Sequence, residues 1–168
     1  MKNKISVKLL SWLAMLIALS AVGASIKIPS PVGSIALDSF PAIMAAAILG
    51  GGSGAVVGSL GHLVSAELAG FPLGAMHFLI AAEMAVLVWL FGIIYKRNQK
   101  LLAAVIFVLG NGLLAPLPFI LLINKEFYIA TVPFLLVASV INVVLALVVI
   151  PKMKSIISTN LKQGEVKE

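Results

Sequence analysis

Long apolar runs separated by short polar breaks divide the sequence into six segments. Runs rich in Leu, Ile, Val and Ala with few charges are typical of helices in a bilayer, where an upright crossing needs about 20 residues. The pattern predicts an all-α integral membrane protein that forms one membrane domain over residues 1–168, built as a bundle of six transmembrane helices. The predicted helices are 7–26, 38–49, 54–69, 74–95, 101–123 and 128–150.

The second and third segments are too short to cross a bilayer upright. A glycine-rich stretch at 50–54 joins them. An alternative is therefore that these two segments form one re-entrant hairpin, which would change the number of crossings. The first segment also has an alternative, because its basic start and small residues at 21–24 resemble a cleavable signal peptide. Its small residues also fit a retained, closely packed helix, which we favour.

The basic residues predict the orientation of the bundle. Ten of the twelve lysines and arginines lie in three places: the start of the chain, the loop after the fourth segment, and the end. Basic residues concentrate on the cytoplasmic side of membrane proteins, so we expect both termini in the cytoplasm and a multi-pass protein of the cell membrane. Lys27 and Lys125 are the two basic residues expected on the outer side.

Composition excludes several classes of protein. With 61% hydrophobic and 11% charged residues, a chain of 168 residues cannot cover a soluble surface. The net charge of +6 comes from residues that flank apolar segments, so it indicates contacts with lipid headgroups rather than with nucleic acid. Without cysteine, and with two histidines, the chain offers poor material for a metal site. No nucleotide-binding or catalytic motif is present, so we expect neither a cofactor nor enzymatic activity.

Polar side chains inside apolar segments are the candidate functional residues, because burying them in a membrane is costly. In the predicted topology they converge on the outer half of the bundle, below the first loop and the loop at 69–74. This convergence predicts a ligand pocket that opens outward. The candidate binding residues, together with two phenylalanines that could form its walls, are Asp38, Phe40, His62, Glu67, Phe71, His77, Glu83 and Asn111.

Several of these residues also have a purely structural interpretation. Asp38 precedes Ser39, Phe40 and Pro41, so it could simply cap the second helix. His62 lies on a glycine-rich helix and could bond a neighbouring helix, and Asn111 could serve helix packing. Glu83 is the sharpest functional candidate, because a structural carboxylate in mid-helix is expensive. Asn142 is interpreted as structural.

The pattern resembles the substrate-binding S components of energy-coupling factor (ECF) vitamin transporters. The resemblance covers the whole chain and includes Ala14-x-x-x-Ala18 in the first helix, a long first outer loop, and the small-residue run from Leu37 through Ala55. It implies high-affinity capture of a vitamin or related micronutrient on the outer side, with the first and third outer loops closing over the ligand. It also implies a transmembrane T component and two cytoplasmic ATPases as partners, with Ala14 and Ala18 contacting the T component.

The stretch 27–41 looks most like members assigned to uptake of α-ribazole, the nucleoside of cobamide salvage. A benzimidazole ring needs apolar or aromatic walls, and a ribose offers hydroxyls to carboxylate, amide or imidazole groups. Pantothenate, folate and riboflavin are alternatives, although the scarcity of outer cations disfavours a strongly anionic ligand. Outside this family, the alternatives are a solitary secondary transporter and a scaffold subunit.

Overall fold

Seven α-helices, one π-helical stretch and one β-hairpin make up the part of the chain that the computed structural model describes, residues 6–30 and 33–165. The order is α1 (Val7–Ala24), β1 (Lys27–Ser30), β2 (Gly33–Ala36), α2 (Phe40–Ile48), α3 (Gly51–Leu68), α4 (Met76–Lys96), α5 (Lys100–Leu109), the π-helical stretch (Gly110–Leu114), α6 (Phe119–Leu122) and α7 (Lys125–Glu165).

Within the described residues, four segments are long and apolar enough to cross a membrane. They are Val7–Ala24, Met76–Lys96, Lys100–Leu122 and Lys125–Ile157. This finding fits a multi-pass membrane protein. Helix α2, with nine residues, is about 14 Å long and covers half of a hydrocarbon core of about 30 Å.

Helix α2 forms the centre of the bundle. It contacts α1, α3, α4 and α7, and residues 41–47 are all buried. Because protein surrounds α2 on every side, the helix does not have to be long enough to cross the hydrocarbon core. The core around it includes Ile43, Met44, Phe91 and Phe107.

Three regions differ from the predicted segments. The loop between α1 and α2 contains an antiparallel hairpin in which Lys27 lies opposite Ala36, so its backbone groups pair with one another. The fifth segment is interrupted by the π-helical stretch and a turn before α6. The last helix starts at Lys125 and continues past Pro151 to Glu165, because a proline removes one helix hydrogen bond without having to end the helix.

Glycines allow α3 to lie very close to its neighbours. A Cβ on Gly54 would lie 2.5–2.9 Å from atoms of Ala46 in α2, and one on Gly61 would lie 2.7–2.8 Å from the side chain of Ser20 in α1. At the turn before α3, Gly50 has φ of 113°, a conformation that favours glycine. Gly54 and Gly61 therefore serve helix packing, whereas Gly50 serves the turn before α3.

The start of α2 is held by a side chain from α7. The backbone N–H groups of Ser39 and Phe40 both donate to Asn142 Oδ1, at 3.0 and 2.8 Å. Ser39 occupies the N-cap position without a capping bond from its own side chain. Asn142, rather than Asp38, thus supplies the cap that the sequence allowed Asp38 to provide.

We expect Asn142→Ala to lower the free energy of unfolding by about 1–3 kcal/mol, because two N–H groups, one buried and one partly buried, lose their acceptor. Denaturation in detergent, followed by circular dichroism, measures the change. The matched control is Asn124→Ala, which removes an exposed amide that accepts from Phe127 N–H at the start of α7 and should cost less. Equal stability of Asn142→Ala and the unmodified protein would contradict the capping role.

Candidate functional site

A cavity of about 370 Å³ lies at one end of the bundle. Its walls come from the last turns of α1 and α3, the residues just before α2, the loop between α3 and α4, the first halves of α4 and α7, the π-helical stretch and the start of α6. The ends of α4 and α5 that lie away from the cavity carry the basic residues Lys96, Arg97 and Lys100. The polar lining residues are Asp38, Ser39, His62, Ser65, His77, Glu83, Asn111, Thr131 and Asn142.

Five of the eight predicted binding residues meet in this cavity. They are Asp38, His62, His77, Glu83 and Asn111. They come from four separate parts of the chain, so the fold gathers the polar groups that the sequence scatters through its apolar segments. Their role in binding stays a prediction.

The other three predicted residues lie outside the cavity lining. Phe40 packs against the hydrophobic core, and Glu67 is exposed on α3. Phe71, at φ of 48° in the loop between α3 and α4, contacts His77 edge to face, with ring centroids 5.5 Å apart. Phe71 therefore packs against a lining residue without lining the cavity itself.

The aromatic wall comes instead from Phe119 and Phe127, which sequence reasoning missed. Both rings line the cavity, with centroids 5.9 Å apart, and Phe119 is buried. The signal in the sequence was Pro116 and Pro118, which break the fifth apolar segment just before Phe119. Such a break indicates that the chain turns there, but it does not indicate that the ring of Phe119 lines the cavity.

The two histidines form a directional hydrogen-bond chain. The N–H of Leu73 donates to His77 Nε2 at 3.3 Å, so this nitrogen carries no proton and the neutral ring is protonated at Nδ1. His77 Nδ1 lies 3.1 Å from His62 Nε2, which must then accept. The proton of His62 is thereby placed on Nδ1. His77 thus pairs with a histidine from the neighbouring helix α3.

Asp38 lies at the end of this chain. Its Oδ2 is 4.0 Å from His62 Nδ1, while its Oδ1 accepts a hydrogen bond of 3.1 Å from the Ser39 hydroxyl. The hydrogen bonds thus link the loop between α3 and α4 to His77 and His62, and Asp38 approaches the far side of the His62 ring without a hydrogen bond. The two imidazole rings use the nitrogens that face Leu73 and each other in these hydrogen bonds. The rings therefore position the loop between α3 and α4, and their flat faces form part of the cavity wall.

We expect His77→Phe to speed hydrogen exchange of the Leu73 amide by about tenfold, since a phenyl ring offers no nitrogen acceptor. Exchange followed by mass spectrometry or NMR measures this. The amide of Leu49, which donates to the Ala45 carbonyl at the other end of the bundle, is the internal control and should be unchanged. Unchanged exchange at Leu73 would show that the histidine does not hold the loop.

The charge of the cavity limits its ligands. The described lining contains two carboxyl groups and two imidazoles, and it contains neither lysine nor arginine. An anionic ligand would meet like charges without a compensating cation. Within the described residues, no group of three histidine or acidic side chains is arranged to hold a metal ion. The site therefore suits an uncharged molecule with an apolar ring and several hydrogen-bonding groups.

A family model described as the ECF-type riboflavin transporter, S component, matches residues 4–160 of the chain. The chain belongs to this family. The resemblance to ECF S components is thus confirmed at the level of the family. No curated protein and no solved structure gives a significant match. As an S component, the protein is a substrate-capture subunit of a membrane transporter, with a small-molecule substrate and with T and ATPase partners.

The small residues predicted to dock the S component on its partner lie on the outside of α1. Ala14 and Ala18, one turn apart, are both exposed, whereas Leu16 and Ser20 are buried. The side chain of Val22, a further turn along, is 62% exposed. This face is available to lipid or to another membrane protein, and its contact with the T component stays a prediction.

Proposed function

We propose that this S component captures α-ribazole for uptake by an ECF importer. The observation that carries the proposal is a cavity that combines the aromatic pair Phe119 and Phe127 with carboxyl, amide and imidazole groups, but without a cation among its described lining residues. A benzimidazole fits against aromatic and apolar walls, and a ribose fits the polar groups. The similarity of residues 27–41 to α-ribazole-type members favours this nucleoside.

Riboflavin is the second candidate, favoured by the description of the matching family model. It too is uncharged and joins a planar heteroaromatic ring to a chain of hydroxyls. Pantothenate and folate are carboxylates, so they would bring negative charge to Asp38 and Glu83. We therefore rank them below both neutral compounds.

In the proposed mechanism the cavity end of the bundle faces outward, and the basic loop at Lys96–Lys100 faces the cytoplasm. This orientation follows from the distribution of lysine and arginine. The ligand enters beside the β-hairpin and the loop between α3 and α4, and the outer loops close over it. The loaded S component then reorients against the T component, and ATP hydrolysis by the separate ATPases drives release inside.

The proposal is tested by binding to the purified S component in detergent. We expect α-ribazole to bind and to displace riboflavin, while pantothenate and folate neither bind nor compete. Isothermal titration calorimetry with competition gives the ranking. Tighter binding of riboflavin would transfer the assignment to the second candidate, and preferential binding of an anionic vitamin would overturn the charge argument.

A further inference from the structure

Among the described residues, the cavity lining includes a carboxyl oxygen that has no hydrogen-bond partner. Glu83 lies six residues after His77 on α4, about 9 Å further along the helix axis. Its Oε2 is buried and forms no hydrogen bond with the described residues. A buried acceptor of this kind is costly to leave unpaired, so a bound molecule that donates to it gains affinity.

Asn111 lines the same cavity from the π-helical stretch, and its amide orientation is fixed by two hydrogen bonds. The Ser139 hydroxyl donates its single proton to the Leu135 carbonyl at 2.6 Å. It must therefore accept from Asn111, whose Nδ2 lies 2.8 Å away. The nitrogen of the amide faces Ser139, and the amide oxygen is the atom turned away from it.

We propose that Glu83 Oε2 and the amide oxygen of Asn111 form an acceptor subsite that binds two neighbouring hydroxyl groups of the ligand, the diol of a ribose or the polyol chain of a flavin. The inference rests on the proposed function, because it assigns one part of the same cargo to one part of the same cavity. A π-helical turn often marks a functional site, and here it carries one of the two acceptors.

Hydroxyl donors fit this subsite better than the other polar groups that such ligands carry. A carboxyl group offers acceptor lone pairs in either protonation state, and the amide oxygen offers acceptors alone. The imide edge of a flavin has one N–H flanked by two carbonyl oxygens, so its carbonyls would face acceptors. A diol supplies two donors and meets both atoms. The ring is then left to Phe119 and Phe127.

The test compares each ligand with its ring alone. Affinities of α-ribazole and 5,6-dimethylbenzimidazole, and of riboflavin and lumichrome, are measured on the full chain. We expect the sugar-bearing compound of the cargo pair to bind roughly 10- to 100-fold tighter than its ring, as two additional hydrogen bonds to buried acceptors would give. Glu83→Gln should reduce this ratio about tenfold while leaving affinity for the ring within about twofold. Glu126→Gln, on an exposed residue of α7, is the matched control and should change neither affinity.

Three results would overturn the subsite. Equal affinity for ring and sugar-bearing compound in the unmodified protein would do so while leaving the proposed cargo intact. An equal loss of affinity for both compounds in Glu83→Gln would place the carboxylate against the ring instead. If none of the four compounds binds, the proposed function fails, and the subsite fails with it. Because the first comparison uses the unmodified protein, the test does not depend on the folding of the variant.

Discussion

Gly54→Leu is expected to destabilise the protein by about 3 kcal/mol or more, enough to prevent accumulation of folded protein in the membrane. The reason is the contact between α2 and α3, where the Cβ of any side chain at this position would lie 2.5–2.9 Å from Ala46. Two of the three nearest atoms belong to the backbone of Ala46, so no rotamer change relieves the overlap. The two helices must separate, and the separation opens the fully buried centre of the bundle.

Gly52→Leu is the matched control for this prediction. It introduces the same side chain on the same helix, yet no atom of the described residues lies within 4 Å of a Cβ at this position. Since leucine favours a helix over glycine by a few tenths of a kcal/mol or more, this variant should be as stable as the unmodified protein or more so. Expression level and thermal unfolding in detergent measure both variants. Similar behaviour of the two would contradict the close packing of α2 and α3.

Ala18→Trp is expected to reduce uptake by roughly tenfold or more while leaving ligand affinity within about twofold. Ala18 is exposed on the face of α1 that also carries Ala14, away from the cavity. A bulky ring there would disturb a close helix contact with the T component, but it would not reach the ligand. Uptake of labelled ligand by cells or proteoliposomes that contain the complete transporter measures the first effect, and titration of the purified S component measures the second.

The control for the docking prediction is Val148→Trp on α7, where the native side chain is 61% exposed. It adds a tryptophan to another outward face of the bundle, so a loss caused merely by bulk would appear in both variants. We expect uptake by Val148→Trp to stay near that of the unmodified protein. If Ala18→Trp supports full uptake with the protein correctly inserted, the T component does not contact this part of α1.

The sequence predicts much of the architecture because the bilayer restricts the choices. Apolar runs define the main helices, and the two short segments joined by glycines appear as α2 and α3. Sequence periodicity did not show that α2 would be enclosed by four neighbours. That arrangement depends on which helices pack together. A glycine such as Gly54 permits another helix to approach closely, but the sequence does not indicate which helix that is.

The sequence indicated which residue types line the cavity, but it did not indicate which of these residues form hydrogen bonds with one another. A charged or imidazole group in an apolar segment stands out, and the four such candidates Asp38, His62, His77 and Glu83 all line the cavity, while their role in binding stays a prediction. The bond between His62 and His77 joins two helices, and its direction is set by Leu73 in the loop between them. Such pairings depend on the rotation of helices about their axes, which the pattern leaves open over several tens of degrees.

The functional role was hardest to predict for residues whose side chains carry no charge and no imidazole ring. Asn142 was interpreted as structural, and it does cap α2, yet it also lines the cavity. Phe119 and Phe127 were missed because phenylalanine is common in apolar segments and gives no signal of its own. Phe40 and Phe71 carry the same side chain and lie outside the lining, so position in the fold, rather than residue type, distinguishes the two pairs.

The central claim, that this protein captures a ligand but needs partners to move it, is tested most directly in proteoliposomes. Labelled α-ribazole and riboflavin are offered to vesicles that contain the S component alone, and to vesicles that also contain the T component and both ATPases with ATP enclosed. We predict saturable binding without accumulation in the first, and ATP-dependent movement of the bound compound in the second. Accumulation by the S component alone would identify a solitary transporter, and the absence of binding by a demonstrably folded protein would contradict the capture function.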